Sequence, residues 1–208
     1  MNEVAWFSRA PVDPNAAKSL RHALLESDLD AVAEIALRIA AGEQLGPEYF
    51  PRRMFYTPDK GRSAALPDIF KGGGYWVVSS TCASILRQFD LGHSQLFPVE
   101  ICLHDSLEPA GVEYFCLSLG NTRSALLPDM SSSLRQVSAG KWQVKATASD
   151  DDLALDRNAI AGADFWIDPA VHMTFFLSDR LMSALREGKA DKGFGNHIPV
   201  RRCRVVTT

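Results

Sequence analysis

The apolar positions divide the chain into a helical start and a longer, strand-rich remainder. Ala17, Leu20, Leu24 and Leu25 recur at helical spacing. Asp13 is placed to cap that helix, with Pro14 at its first position, where a missing N–H costs nothing. After a break at Ser27-Asp28, the residues Leu29, Val32, Ile35, Ala36 and Ile39 mark a second helix that stops at Gly42. Two helices with so short a link predict a helical hairpin over residues 1–45. Pro47, Pro51, Pro58 and Pro67 then exclude long regular structure through 46–74, and Gly72-Gly73-Gly74 closes that irregular stretch.

The stretch that organises the remainder runs from Phe175 to Cys203. Phe175, Phe176 and Leu177 form a strand, Ser178 caps a helix, and Asp179 places negative charge in its first turn. Leu181, Met182 and Leu185 make its apolar face, Gly188 ends it, and Ile198-Pro199-Val200 opens a second strand. A shift of 99 residues lays Trp76-Val77-Val78-Ser79 onto Phe175-Phe176-Leu177-Ser178 and Arg87 onto Arg186. Two extra loop residues change the shift to 101, which sets Pro98, Val99 and Cys102 on Pro199, Val200 and Cys203. In this earlier unit Cys82, Ile85, Leu86 and Phe89 share one helical face. Two explanations stand: a duplication with a period near 100, or two ordinary strand–helix–strand units that resemble each other.

Between the units the pattern predicts a hairpin, with Ile101–Leu107 and Val112–Leu119 around a Glu108-Pro109-Ala110-Gly111 turn. Leu134 to Lys145 is a second extended pair turning at Ala139-Gly140. Ser149 to Asp152 is an acidic turn or a helix start, and Phe165-Trp166-Ile167 is a strand that meets a turn at Asp168-Pro169. The fold class is therefore α+β: an N-terminal helical hairpin, then a mixed sheet with two similar strand–helix–strand units at about 75–102 and 175–203. With no low-complexity linker, residues 1–208 read as a single domain, 75–208 forming the sheet.

Charge and composition narrow the function. A net charge of -3 supplies no basic footprint for nucleic acid. No apolar run reaches the roughly 18 residues of a membrane span. Met1-Asn2-Glu3-Val4 lacks the basic start of a secretory signal, so the cytoplasm is the expected compartment. The four cysteines (Cys82, Cys102, Cys116, Cys203) form no CxxC pair and read as buried free thiols.

Catalytic signals are missing. His22, His93, His104, His172 and His197 form no HExxH or HxH. His104-Asp105 is a dyad by sequence only, since strand neighbours face opposite ways. There is no GxSxG elbow, GxGxxG fingerprint or P-loop, and Ser79, Ser80 and Ser178 stand where caps belong. No catalytic, metal or cofactor residue is assigned, and no cofactor is expected. Arg52, Arg53, Lys60, Arg62 and Lys71 form either an anion site or a solvated loop. Partner contact is sought at Asp150, Asp151 and Asp152, which suit a basic partner, and at Trp166 with Asp168, an aromatic anchor beside a carboxylate. The alternatives are a solvated turn and a core tryptophan.

The last third resembles a bacterial family of immunity proteins from polymorphic toxin systems, the eleventh such family catalogued and formerly a domain of unknown function. The likeness is carried by Phe165-Trp166-Ile167-Asp168-Pro169, Phe176-Leu177-Ser178-Asp179, Leu181, Leu185 and Ile198-Pro199-Val200. Val78-Ser79 through Phe97-Pro98-Val99 is similar to the family's earlier segment. The resemblance spans about 75–203 and implies a cytoplasmic protein that binds and neutralises a cognate toxin without catalytic residues. An enzyme or small-molecule binder, its pocket where the basic 52–71 loop meets the sheet, is the alternative.

Overall fold

The computed structural model describes residues 4–9, 17–57, 66–103, 109, 111–188 and 200–208. Its architecture is mixed and strand-rich. The strands are β1 (Ala5–Ser8), β2 (Ala17–Lys18), β3 (Leu20–Arg21), β4 (Arg53–Tyr56), β5 (Ile69–Gly72), β6 (Tyr75–Ser79) and β7 (Gln95–Leu103). They continue as β8 (Tyr114–Ser118), β9 (Leu134–Ser138), β10 (Lys141–Val144), β11 (Ala154–Asp156), β12 (Phe165–Ile167), β13 (Phe175–Ser178) and β14 (Val200–Val206). The helices are α1 (Ala23–Ser27), α2 (Leu29–Ala40), α3 (Ser80–Leu86) and α4 (Asp179–Glu187).

A seven-stranded sheet runs β2-β5-β6-β8-β7-β4-β3. Its two edge strands are neighbours in sequence, with Ser19 alone between them, so the sheet curls until its edges nearly meet. Burial drives this closure: Leu20 points inward at 3% exposure and pairs opposite Tyr56, while Ala17 pairs opposite Lys71. This overturns the helical hairpin. The apolar spacing of residues 17–25 suits a helix, but strand pairing claims 17–21 and leaves α1 five residues long. The cap is His22, whose ring accepts from the Leu25 N–H and bonds the Gly73 carbonyl at 2.8 Å. The Asp13-Pro14 helix start lies outside the described residues. The second helix, α2, forms as the periodicity predicts, capped by Asp28. The stretch 46–74, expected to be irregular, holds β4, short enough to fit between Pro51 and Pro58, and β5, which follows Pro67. Gly73 and Gly74, both at positive φ, make the turn from β5 to β6.

The five-stranded sheet, β12-β13-β1-β14-β11, repeats the pairing of β5-β6-β8-β7-β4 strand for strand. In each, the first three pairings are antiparallel and the last is parallel. The two strands of each unit are therefore parallel but not adjacent: β8 lies between β6 and β7, and β1 between β13 and β14. The 99-residue shift holds for the first strand and helix, since Ser79 faces Tyr114 as Ser178 faces Ala5. Arg87 lies 4.5 Å over the Phe115 ring, and Arg186 lies 4.4 Å over Trp6 at the matching position. For the closing strand the shift of 101 fails. Val99 faces Tyr114 and Cys203 faces Ala5, so Val99 matches Cys203 at a shift of 104. Ile198 and Pro199 lie outside the described residues.

Each unit is fastened by the same contact. The Ser79 hydroxyl accepts from the Cys82 N–H and donates to Asp68 Oδ1 at 2.5 Å. Likewise, the Ser178 hydroxyl accepts from the Leu181 N–H and donates to Asp164 Oδ1 at 2.5 Å. Both serine N–H groups also donate to the carbonyl of the same aspartate, at 2.9 Å. One core spans the two sheets. Trp76 and Phe175, which occupy matching positions, meet edge to face at 5.0 Å between ring centres. A second core lies behind the five-stranded sheet, where Phe7, Trp166 and Phe176 face Val144, Leu153 and Leu155 of the segment inserted between β8 and β12. The period-2 alternation explains the split: Phe165 and Ile167 face one core and Trp166 the other. The β9–β10 hairpin turns at Ala139-Gly140 as expected.

Removing a cap tests the repeated contact. Ser79→Ala and Ser178→Ala should each lower stability by about 1–2 kcal/mol, because a helix N–H and an aspartate carboxylate both lose a partner. Urea unfolding at neutral pH measures it. A loss in one variant with none in the other would show that the two junctions are not equivalent.

Candidate functional site

The acidic turn is exposed, and its carboxylates are engaged within the chain. Asp150 Oδ1 accepts from the Arg202 N–H at 2.8 Å, and Asp151 takes the Arg202 guanidinium on both oxygens, at 3.0 and 2.5 Å. That guanidinium holds the Asp151 carboxyl below the usual carboxylate range. Asp152 accepts from the Ser149 N–H and from the Ser132 and Ser133 hydroxyls. These contacts, the Ser149 N–H foremost, hold its carboxyl low as well. The turn thus ties the inserted segment to β14.

Trp166 and Asp168 are 2% and 1% exposed. Trp166 stacks on Phe176, Arg123 lies over its ring at 4.5 Å, and its buried indole N–H has no hydrogen-bond partner among the described residues. Arg123 donates to the carbonyls of Ile160 and Ala163. Asp168 accepts three backbone N–H groups, from Ala125, Leu126 and Ala170, and so pins the inserted segment to the turn after β12. Beside it, the Asn121 amide donates to the carbonyls of Leu91 and Phe165 and to Ser94 Oγ, while its oxygen accepts from the His93 N–H. Asn121 joins the two sheets through polar bonds. The sequence around it reads only as the start of a loop.

The four thiols are buried. Burial pushes the Cys116 thiol up to about 12 and raises those of Cys82 and Cys203. His93 and His172 are exposed and His22 caps α1, while His104 and His197 lie outside the described residues. Among the described residues, no three His, Cys, Asp or Glu side chains group to hold a metal. No helix among them is long and apolar enough to cross a membrane. Of the basic stretch, Arg53 pairs with Glu100 at 2.5 Å, Lys71 is half-buried in β5, and Lys60 and Arg62 lie outside the described residues.

Two concave regions stand out. A hollow of about 670 Å³ beside β7 and β8 carries Arg52, Glu100 and Glu113 among apolar neighbours. No histidine or cysteine lines it among the described residues. On another face, α2, the tip of the β9–β10 hairpin and the 169–173 turn enclose a cleft that adjoins a slot lined by Lys71. Burial lowers the Lys71 pKa, because an ammonium loses hydration there. Sequence reasoning placed Lys71 in a basic loop and missed the cleft, which forms from segments far apart in the chain.

The family model described as "Immunity protein family (Imm11)" matches residues 18–196, most of the chain. No curated protein matches it.

The thiols supply a check on this geometry. Native protein at pH 8 should leave Ellman's reagent almost unreacted, and all four thiols should titrate once urea unfolds the chain. Fast reaction of a native thiol would contradict the burial described above.

Proposed function

Because the chain belongs to the Imm11 immunity protein family, we propose that it binds a cognate bacterial toxin in the cytoplasm and neutralises it by occupying the toxin's surface. The observation that carries this reading is the family match from residue 18 to residue 196, which takes in every strand from β3 to β13 and leaves out β1 and β14. Neutralisation by occupancy asks for a pre-ordered surface, since less freedom is then lost on association. The shared core and the Asp168 and Asn121 bonds supply that rigidity. A stable interface of this kind covers about 1,200–2,000 Å² in total.

A second reading rests on the 670 Å³ hollow, whose volume falls in the range of small-molecule sites. Under it the protein is a small-molecule binder or an enzyme, and a metabolite panel should raise its melting temperature.

The deciding experiment pairs the protein with the toxin encoded beside its own gene. Cells expressing that toxin should survive when this chain is co-expressed, and the purified proteins should form an equimolar complex by calorimetry. Continued killing together with no measurable heat at micromolar concentrations would reject the immunity reading.

A further inference from the structure

The cleft beneath α2 combines features that do not normally occur together on a self-sufficient surface. Leu37 on α2 is 65% exposed, and Val137 on the facing hairpin is 47% exposed. The hollow they border, about 220 Å³, shares the walls Ala40, Val171 and Met173 with an adjacent narrow slot of about 30 Å³ lined by Lys71 and Trp76. The walls are fixed. Trp142 donates its backbone N–H to the Ala170 carbonyl, and His172 donates to the Trp142 carbonyl, both at 2.7 Å, so the hairpin is bolted to the 169–173 turn.

Charge is the distinctive part. The lining of the two hollows includes Lys71, Lys141 and His172 and no aspartate or glutamate, in a chain whose net charge is -3. Lys141 is already used, donating to the Pro169 carbonyl at 2.7 Å. Lys71 is not matched. Its ammonium meets the Met173 sulfur at 3.5 Å, and no carboxylate pairs with it among the described residues. A thioether is a weak acceptor and leaves most of the ammonium's hydrogen-bonding capacity unfilled. Met173 makes this contact from a backbone at φ 54, a conformation uncommon for any residue but glycine. Beside an open apolar hollow, a half-buried cation has no carboxylate partner among the described residues.

We propose that this cleft is the toxin-binding surface, and that the toxin inserts an apolar segment bearing one carboxylate, which Lys71 receives in the adjoining slot. The inference rests on the immunity reading above and adds to it the location of the contact and its chemistry. Leu37 and Val137 grip the segment's apolar side chains, and the excluded water strengthens the ion pair. Desolvation of the free Lys71 points the same way, because an arriving carboxylate stabilises the ammonium that burial disfavours. A slot of about 30 Å³ has room for the end of a side chain.

The test uses the toxin encoded beside this chain's gene, silenced by mutation and titrated with the full-length protein. Lys71→Met keeps an apolar stem in the slot, and Leu37→Asp changes an exposed position. Circular dichroism and thermal melting establish that both variants fold. Each should weaken binding by about tenfold or more, since one removes a desolvated charge partner and the other places a charge on the apolar wall. Replacing the toxin's carboxylates in turn by amides should find one whose loss is non-additive with Lys71→Met. If the wild type binds and both variants bind equally well, the immunity reading stands and the cleft proposal falls. The cleft proposal also falls if Asp151→Ala weakens the complex while Lys71→Met does not. If the wild type binds no toxin, both are overturned.

Discussion

A serine hydroxyl stands at the hinge of each half of this structure, accepting a helix N–H on one side and donating to an aspartate on the other. Ser79 with Asp68 and Ser178 with Asp164 fix where a strand ends, where the helix starts and where the neighbouring strand must begin. The rest of each half is laid down around that junction. The aspartate precedes the antiparallel neighbour, β5 or β12, and its carbonyl takes the serine N–H. In the second half the same carboxylate also binds Arg180 and the Asp90 N–H, so the junction reaches into the loop after α3. Two such junctions set back to back, with Trp76 against Phe175 and α3 against α4, generate one core from two sheets.

Much of this arrangement is legible in the chain. Ser79 and Ser178 read as caps because a serine follows a short apolar strand and precedes an amphipathic helix. The repeat at a shift of 99 is visible because caps, apolar faces and Arg87/Arg186 all align. What could not be read lies in long-range pairing. Residues 17–21 carry a helical pattern, yet they close a sheet whose edges come from distant parts of the sequence. Asp68 and Asp164 sit eleven and fourteen residues before their serines, with nothing local to mark the pairing. The closing-strand match at Pro98 and Pro199 follows sequence identity, whereas the register follows hydrogen bonding and places Val99 on Cys203.

The same division applies to the residues considered for partner contact. Trp166 and the Asp150–Asp152 run are conspicuous in composition, but composition does not show which groups the fold consumes. Trp166 and Asp168 are occupied in holding the inserted segment, and the acidic turn in holding Arg202. Lys71 has the opposite history. It is an ordinary lysine in sequence, and only the meeting of α2, the β9–β10 hairpin and the 169–173 turn leaves it half-buried, without a carboxylate partner among the described residues. Family membership implies a toxin partner, and the cleft beside Lys71 is where we propose that it is met.

If the two halves share one core, they should also share one unfolding transition. Native-state hydrogen exchange on Asp164→Ala tests this directly, because that substitution strips the second junction while leaving Ser79 and Asp68 intact. The shared-core account predicts that exchange accelerates in β6 and β8 of the first sheet by the same factor as in β13 and β1 of the second. Acceleration confined to β12, β13 and β1, with β6 and β8 unchanged, would contradict it and show two halves that merely touch.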